Sequence, residues 1–241
     1  MDIRHISTSK FKTSTISFIF EDLLIRQHAP GNALVPMVLR RGSARFPVQV
    51  DISRELERLY GTTFGFEIFK RGNRQFIHFN MEYLADRFAG GQDPKDQKGQ
   101  LFREVNGLMT EMLKNPLLPE NGLFRRDYVE QERENLVKLI ESRLNDKKQY
   151  AMDRCLEEMC KGEPHAIDEL GTVEDASRLD PAAAFGRYLH MRDGMPLTVY
   201  LTGEMDDSMK QEIKAEWEEP NRPEHGPLLH APAALSAKVR E

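Results

Sequence analysis

Two cysteines, one tryptophan and no long apolar run are the first features of this sequence, and each scarcity removes a class of protein. The longest apolar stretch, Ala33–Leu39, is seven residues and includes Pro36, whereas a helix that spans a bilayer needs about 20. No membrane-spanning helix is expected. The opening MDIRHISTSK lacks the apolar segment of a secretory signal, so the expected location is cytoplasmic. Cys155 and Cys160 agree with that: five apart in a helical pattern, they share no face and form no C-x-x-C pair, and they read as reduced, buried helix residues. A surplus of basic charge is also missing. Lys plus Arg number 34 against 39 Asp plus Glu, a formal charge of -5, so neither nucleic acid nor an anionic membrane is an expected partner.

Common catalytic fingerprints are absent too. There is no G-x-x-x-x-G-K-[ST] loop, no G-x-G-x-x-G after a strand and no G-x-S-x-G elbow. The seven histidines include no pair at i, i+4, which excludes a helix face presenting two imidazoles to one zinc ion. A site assembled from distant residues, such as His78, His165 and a carboxylate, stays open. Lys70, Arg71 and Arg74 beside Phe66, Phe69 and Phe76 read as the solvated tip and apolar face of a hairpin rather than a nucleic-acid platform.

What is present is patterning. At 241 residues the chain suffices for one large or two small domains with a real core. Residues 10–21 alternate, with Ile16, Phe18 and Phe20 on one face of an expected strand. A short apolar helix is expected from Asn32, as N-cap, to Arg41, with Pro36 near its first turn. A second follows with Asp51 as cap and Ile52, Leu56, Leu59 and Tyr60 on one face. Residues 62–82 read as a hairpin turning at Gly72-Asn73. Gly90–Gly99 is a polar loop, and helices are expected at 100–115, 123–146, 148–162 and 180–192. A strand at Leu197–Thr202 and a helix carrying Met209, Ile213 and Trp217 complete the pattern. The class is α+β, an antiparallel sheet with helices packed on one face. Residues 1–218 form the expected domain, and 219–241, rich in Pro and Ala, a linker or tail toward a second one.

The stretches ALVPMVLRRGS, LYGTTFGFEIFKRGNRQFIHF, NPLLPENGLFRRDYVEQERENLVKLIE and LTVYLTGEMD occur in an order that resembles the first domain of the pitrilysin/insulinase family of zinc metallopeptidases. In active members a helix carries H-x-x-E-H and a later helix E-R-x-x-x-x-x-E, whose second Glu completes the zinc site. On that resemblance Ala33, Pro36 and Met37 stand where the first His, the catalytic Glu and the second His would be. Glu132 stands at the retained acid and Leu139 at the third ligand. No catalytic residue and no metal ligand remain, and without zinc nothing lowers the pKa of an attacking water from 15.7 toward about 7.

The resemblance therefore implies the fold without the activity. It is strongest to the ligand-free, non-catalytic subunits of Gram-positive pairs, including the peptidase-like proteins associated with modification of elongation factor P. What it implies is a chain holding no cofactor, with zinc only in a partner subunit. The expected partners are that zinc-bearing peptidase subunit or a second copy of the chain. Peptide substrate would lie along the strand Phe64-Gly65-Phe66-Glu67, added to the sheet edge. The alternatives are an active zinc metallopeptidase with relocated ligands and a self-associating scaffold.

Overall fold

The computed structural model describes residues 1–89, 99–119, 121–219 and 222–224. In chain order its strands are β1 (Asp2–Ser7), β2 (Thr13–Leu23), β3 (Thr63–Arg71), β4 (Arg74–Leu84) and β5 (Leu197–Gly203). Its helices are α1 (Ala29–Leu39), α2 (Gln49–Arg58), α3 (Gln100–Lys114), α4 (Arg126–Ser142), α5 (Lys147–Met159), α6 (Val173–Ser177), α7 (Pro181–Leu189) and α8 (Asp207–Trp217). Most of the polar loop at 90–99 and the segment beyond 224 lie outside the described residues. Arg222 packs against the body, donating from Nη1 to the Met195 carbonyl at 2.7 Å.

One five-stranded sheet in the order β1-β5-β2-β4-β3 carries the fold. The alternation in β2 places Ile16, Phe18 and Phe20 fully inside, opposite Ile77, Phe79 and Met81 of β4 and Leu197, Val199 and Leu201 of β5. Ser17, Ile19, His78, Asn80 and Tyr200, on the other face, stay half-buried. Apolar side chains of α3 and α8 cover the inner face. Trp217 of α8 sets its ring 4.8 Å from Phe18 and donates from Nε1 to Thr110 Oγ1 at 3.1 Å, which satisfies the polar atom of a fully buried indole.

The sheet is antiparallel as expected through β5, β2, β4 and β3, and departs from that at one edge, where β1 pairs with β5 in parallel. β1 escaped notice because DIRHIS is a short edge strand, half-exposed, whose parallel partner is distant in sequence and leaves no hairpin signal. The β3–β4 hairpin turns at the expected pair, but only Gly72 has positive φ, at +58°, the pattern of a type II′ turn. At the tip Arg71 and Gly72 are exposed as expected, whereas Lys70 Nζ donates to the carbonyls of His165 and Ile167, and Arg74 is buried against Glu21 at 2.5 Å. Asp51 lies in the first turn of α2, where its charge favours the helix dipole, and Val48 is the capping position. Tyr60, expected on the apolar face of α2, sits beyond its end with φ of 59° and is exposed. The cysteines are not buried: Cys155 is exposed and Cys160 half-buried at the end of α5.

Helix α1 begins at Ala29, with Pro30 in its first turn, so Asn32 is no cap and Pro36 lies in the helix interior. The pattern misled because Asn32 is a good capping residue that tertiary contacts employ otherwise. Its Nδ2 donates to Asp22 Oδ2 at 3.0 Å and to Gln75 Oε1 at 2.7 Å, and its Oδ1 accepts from Arg187 Nε at 2.9 Å. Arg187 also pairs with Asp22. This buried network ties β2, β4 and α7 to α1, and His28 and His190 stand beside Asp22 at 3.7 and 3.4 Å.

The network gives stability a defined pH dependence. Burial pushes the His28 imidazole below its ordinary 6.5, and Arg187 adds to that effect. Burial alone would raise the Asp22 carboxyl, but the hydrogen bond from Asn32 and the guanidinium of Arg187 bring it below its ordinary 3.8. Both groups bind fewer protons folded than unfolded, so their contributions are present above 6.5 and above 3.8 respectively and are lost as pH falls. The thermal midpoint is expected to drop first as pH falls below 6.5 and further below 3.8, with His28→Gln making the first limb shallower in a pH series of melts and the buried His78 imidazole, also pushed down, supplying the rest.

Candidate functional site

Every residue of α1 is buried. Its sequence, APGNALVPMVL, is apolar almost all round, which suits a helix enclosed by α4, α6, α7 and the sheet. Ala33 is 1% exposed and Met37 8%, and Pro36 is buried between them. None of the three offers a nitrogen or oxygen donor from its side chain.

Glu132, the retained acid, is 1% exposed on α4. Its Oε1 lies 3.5 Å from Arg41 Nε, just past the end of α1, and its Oε2 accepts from Asn135 Nδ2 at 3.1 Å. The Arg41 guanidinium also bonds Gln131 and covers the Tyr128 ring at 5.1 Å, while Tyr128 Oη donates to the Pro47 carbonyl at 3.1 Å. The carboxylate therefore joins α1 to α4 as the buried half of an ion pair whose cation, Arg41, is half-buried. Leu139, seven residues later, is 48% exposed: it lies at the margin of the face that buries Val129 and Leu136, while Val137 and Ile140 of the same turns pack against the core. The structure thus brings Ala33, Pro36 and Met37 together on α1 and Glu132 beside that helix, while Leu139 faces solvent.

Among the described residues no three His, Cys, Asp or Glu side chains are grouped to hold a metal ion. The two histidines considered for a relocated site are apart. His165 Nδ1 meets the Gly72 carbonyl at 3.1 Å at the hairpin turn, and His78 lies on β4 facing Glu67 across the ladder, about 15 Å farther along the strand. Burial pushes the His78 imidazole down, which favours its neutral form.

Phe64-Gly65-Phe66-Glu67 falls on β3, an outer strand of the sheet whose one ladder partner among the described residues is β4. Phe64 stacks on Phe79 at 6.3 Å and Phe66 lies under the Arg40 guanidinium at 5.4 Å, so both side chains serve packing. A Cβ on Gly65 would come within 2.8 Å of Asn80 Oδ1. An edge strand nevertheless leaves alternate backbone N–H and C=O groups pointing outward. The contact of Arg40 with Phe66 places this edge next to the end of α1. Arg40 and Arg41 are the residues sequence reasoning missed; the Arg pair after an apolar helix was visible, but its partners are distant in sequence.

Comparison with solved structures finds this architecture in a peptidase M16 inactive domain from Pseudomonas fluorescens, with a TM-score of 0.68 at 15% identity over 93% of this chain and 50% of that one. The fold is that of the pitrilysin-like peptidases. A conserved protein from Enterococcus faecalis V583 shares it at a TM-score of 0.80 and 22% identity, over 93% of this chain and 51% of its own. Among curated sequences, the peptidase-like chain is 29% identical over 206 residues to the probable inactive metalloprotease YmfF of Bacillus subtilis (strain 168), covering 86% of this chain and 47% of that protein. It spans about half the length of these relatives. No family profile matches it.

Proposed function

We propose that this is a non-catalytic, peptidase-like subunit that works beside a zinc-bearing peptidase subunit and helps to hold peptide. One observation carries the reading: the helix on which active members of the resembled family bear their zinc motif is here a fully buried packing element. The probable inactive metalloprotease that the chain resembles supports the loss of activity. With Ala33, Pro36 and Met37 at the motif positions no zinc-bound water is generated there, so the contribution to proteolysis in this reading runs through contacts. The edge strand β3 supports a role in gripping substrate by backbone pairing.

The test is a proteolysis assay of the isolated chain with added zinc, followed by native mass spectrometry of the protein from its own source. No chelator-sensitive turnover, and a metal-free chain bound to a second peptidase-like subunit carrying zinc, are the expected results. Turnover by the chain alone, abolished by a chelator and absent from a mock preparation, would overturn the reading. Hydrogen exchange adds a check on the edge: amides of residues 64–67 that point outward should exchange quickly in the free chain and slowly when peptide is held.

A further inference from the structure

Helix α5 is the counterpart of α1, for none of its residues is buried. Asp153, Leu156 and Cys160 are half-buried, while Lys148, Met152, Cys155 and Met159 form an exposed stripe on another face. Their spacing of four, three and four residues is that of the a and d positions of a helix that packs lengthwise on another helix. Met152 is 52% exposed and Met159 75%, and Cys155 Sγ rests 3.6 Å from Met159 Sδ. Water is a poor solvent for this stripe.

Asp146 caps α5, accepting from the Gln149 N–H at 3.0 Å, but the charges within the helix run against its dipole. Lys147 and Lys148 stand at the N-terminal end, where a helix favours anions, and Glu157 and Glu158 stand at the C-terminal end, where it favours cations. Among the described residues neither lysine has a carboxylate partner. Arg154 pairs with both glutamates but leaves them more than half exposed. A second α5 laid antiparallel resolves each of these features. It pairs Met152 with Cys155 and brings Lys148 beside Met159 and Glu158, twice over by symmetry, and it opposes the two dipoles. Such self-complementarity is what an isologous two-fold contact requires.

We propose that a second copy of this chain docks on α5, antiparallel, through Lys148, Met152, Cys155 and Met159. The contact is independent of the pairing with a zinc-bearing subunit and does not replace it. One helix pair is a small interface, at the weak end of specific contacts, so the dimer should depend on concentration.

Sedimentation equilibrium of the full chain, kept reduced, reads this directly. The weight-average mass should rise with concentration toward twice the chain mass. Met152→Glu combined with Met159→Glu should hold it at one chain mass throughout, with far-UV circular dichroism and thermal midpoint unchanged, as both side chains are exposed. Lys148→Glu should weaken association, and adding Glu158→Lys in the same chain should restore it. A wild-type chain that stays monomeric at every concentration overturns the proposal, whatever else α5 contacts. A dimer that survives the double Met variant overturns it equally, by placing the interface elsewhere.

Discussion

Arg41→Ala should lower stability by about 3 kcal/mol, because it strands the Glu132 carboxylate, 1% exposed, without its cation. The substitution also uncovers the Tyr128 ring and leaves Gln131 without its donor. Urea unfolding at pH 7 measures the loss. Glu132→Gln should cost less, about 1 kcal/mol, since an amide oxygen still accepts from Asn135 and no buried charge remains. Combining the two should recover part of the Arg41→Ala loss. If Arg41→Ala costs no more than Glu132→Gln, the pair is not what joins α1 to α4. With the expected costs, Glu132 acts as a fastener between α4 and the end of α1.

Trp217→Ala should cost more, about 4 kcal/mol, through the cavity left under the sheet. The indole is fully buried, packs on Phe18 and Phe20, lies 4.9 Å from Lys114 Nζ and holds Thr110 through its N–H. Trp217→Phe keeps an aromatic ring but strands the Thr110 hydroxyl, and should cost about 2 kcal/mol. As Trp217 is the single tryptophan, unfolding of these variants must be followed by circular dichroism. A cost near zero for the alanine variant would mean that α8 is not part of the cooperative unit.

Much of the fold was legible in the sequence. Period-two alternation in β2, β4 and β5 follows from one buried sheet face, and Met209, Ile213 and Trp217 recur as one side of a helix must. The resemblance implied Ala33, Pro36, Met37, Glu132 and Leu139 as the positions of the family's zinc motif. Other features were not legible. β1 carries no local signature because its pairing is parallel and remote, and Asn32 looked like a cap because its partners, Asp22, Gln75 and Arg187, meet only in three dimensions.

The sequence by itself determined the chemistry at four positions: Ala33, Pro36, Met37 and Leu139 have no side-chain group that binds zinc, and folding cannot change that at those positions. Tertiary structure alone decided what those positions do instead. It enclosed α1 completely, matched Glu132 with Arg41, left Leu139 in solvent and turned the stripe of α5 outward. Side-chain chemistry is fixed residue by residue, whereas burial and pairing depend on which distant segments arrive at the same place, and that is a property of the packed chain.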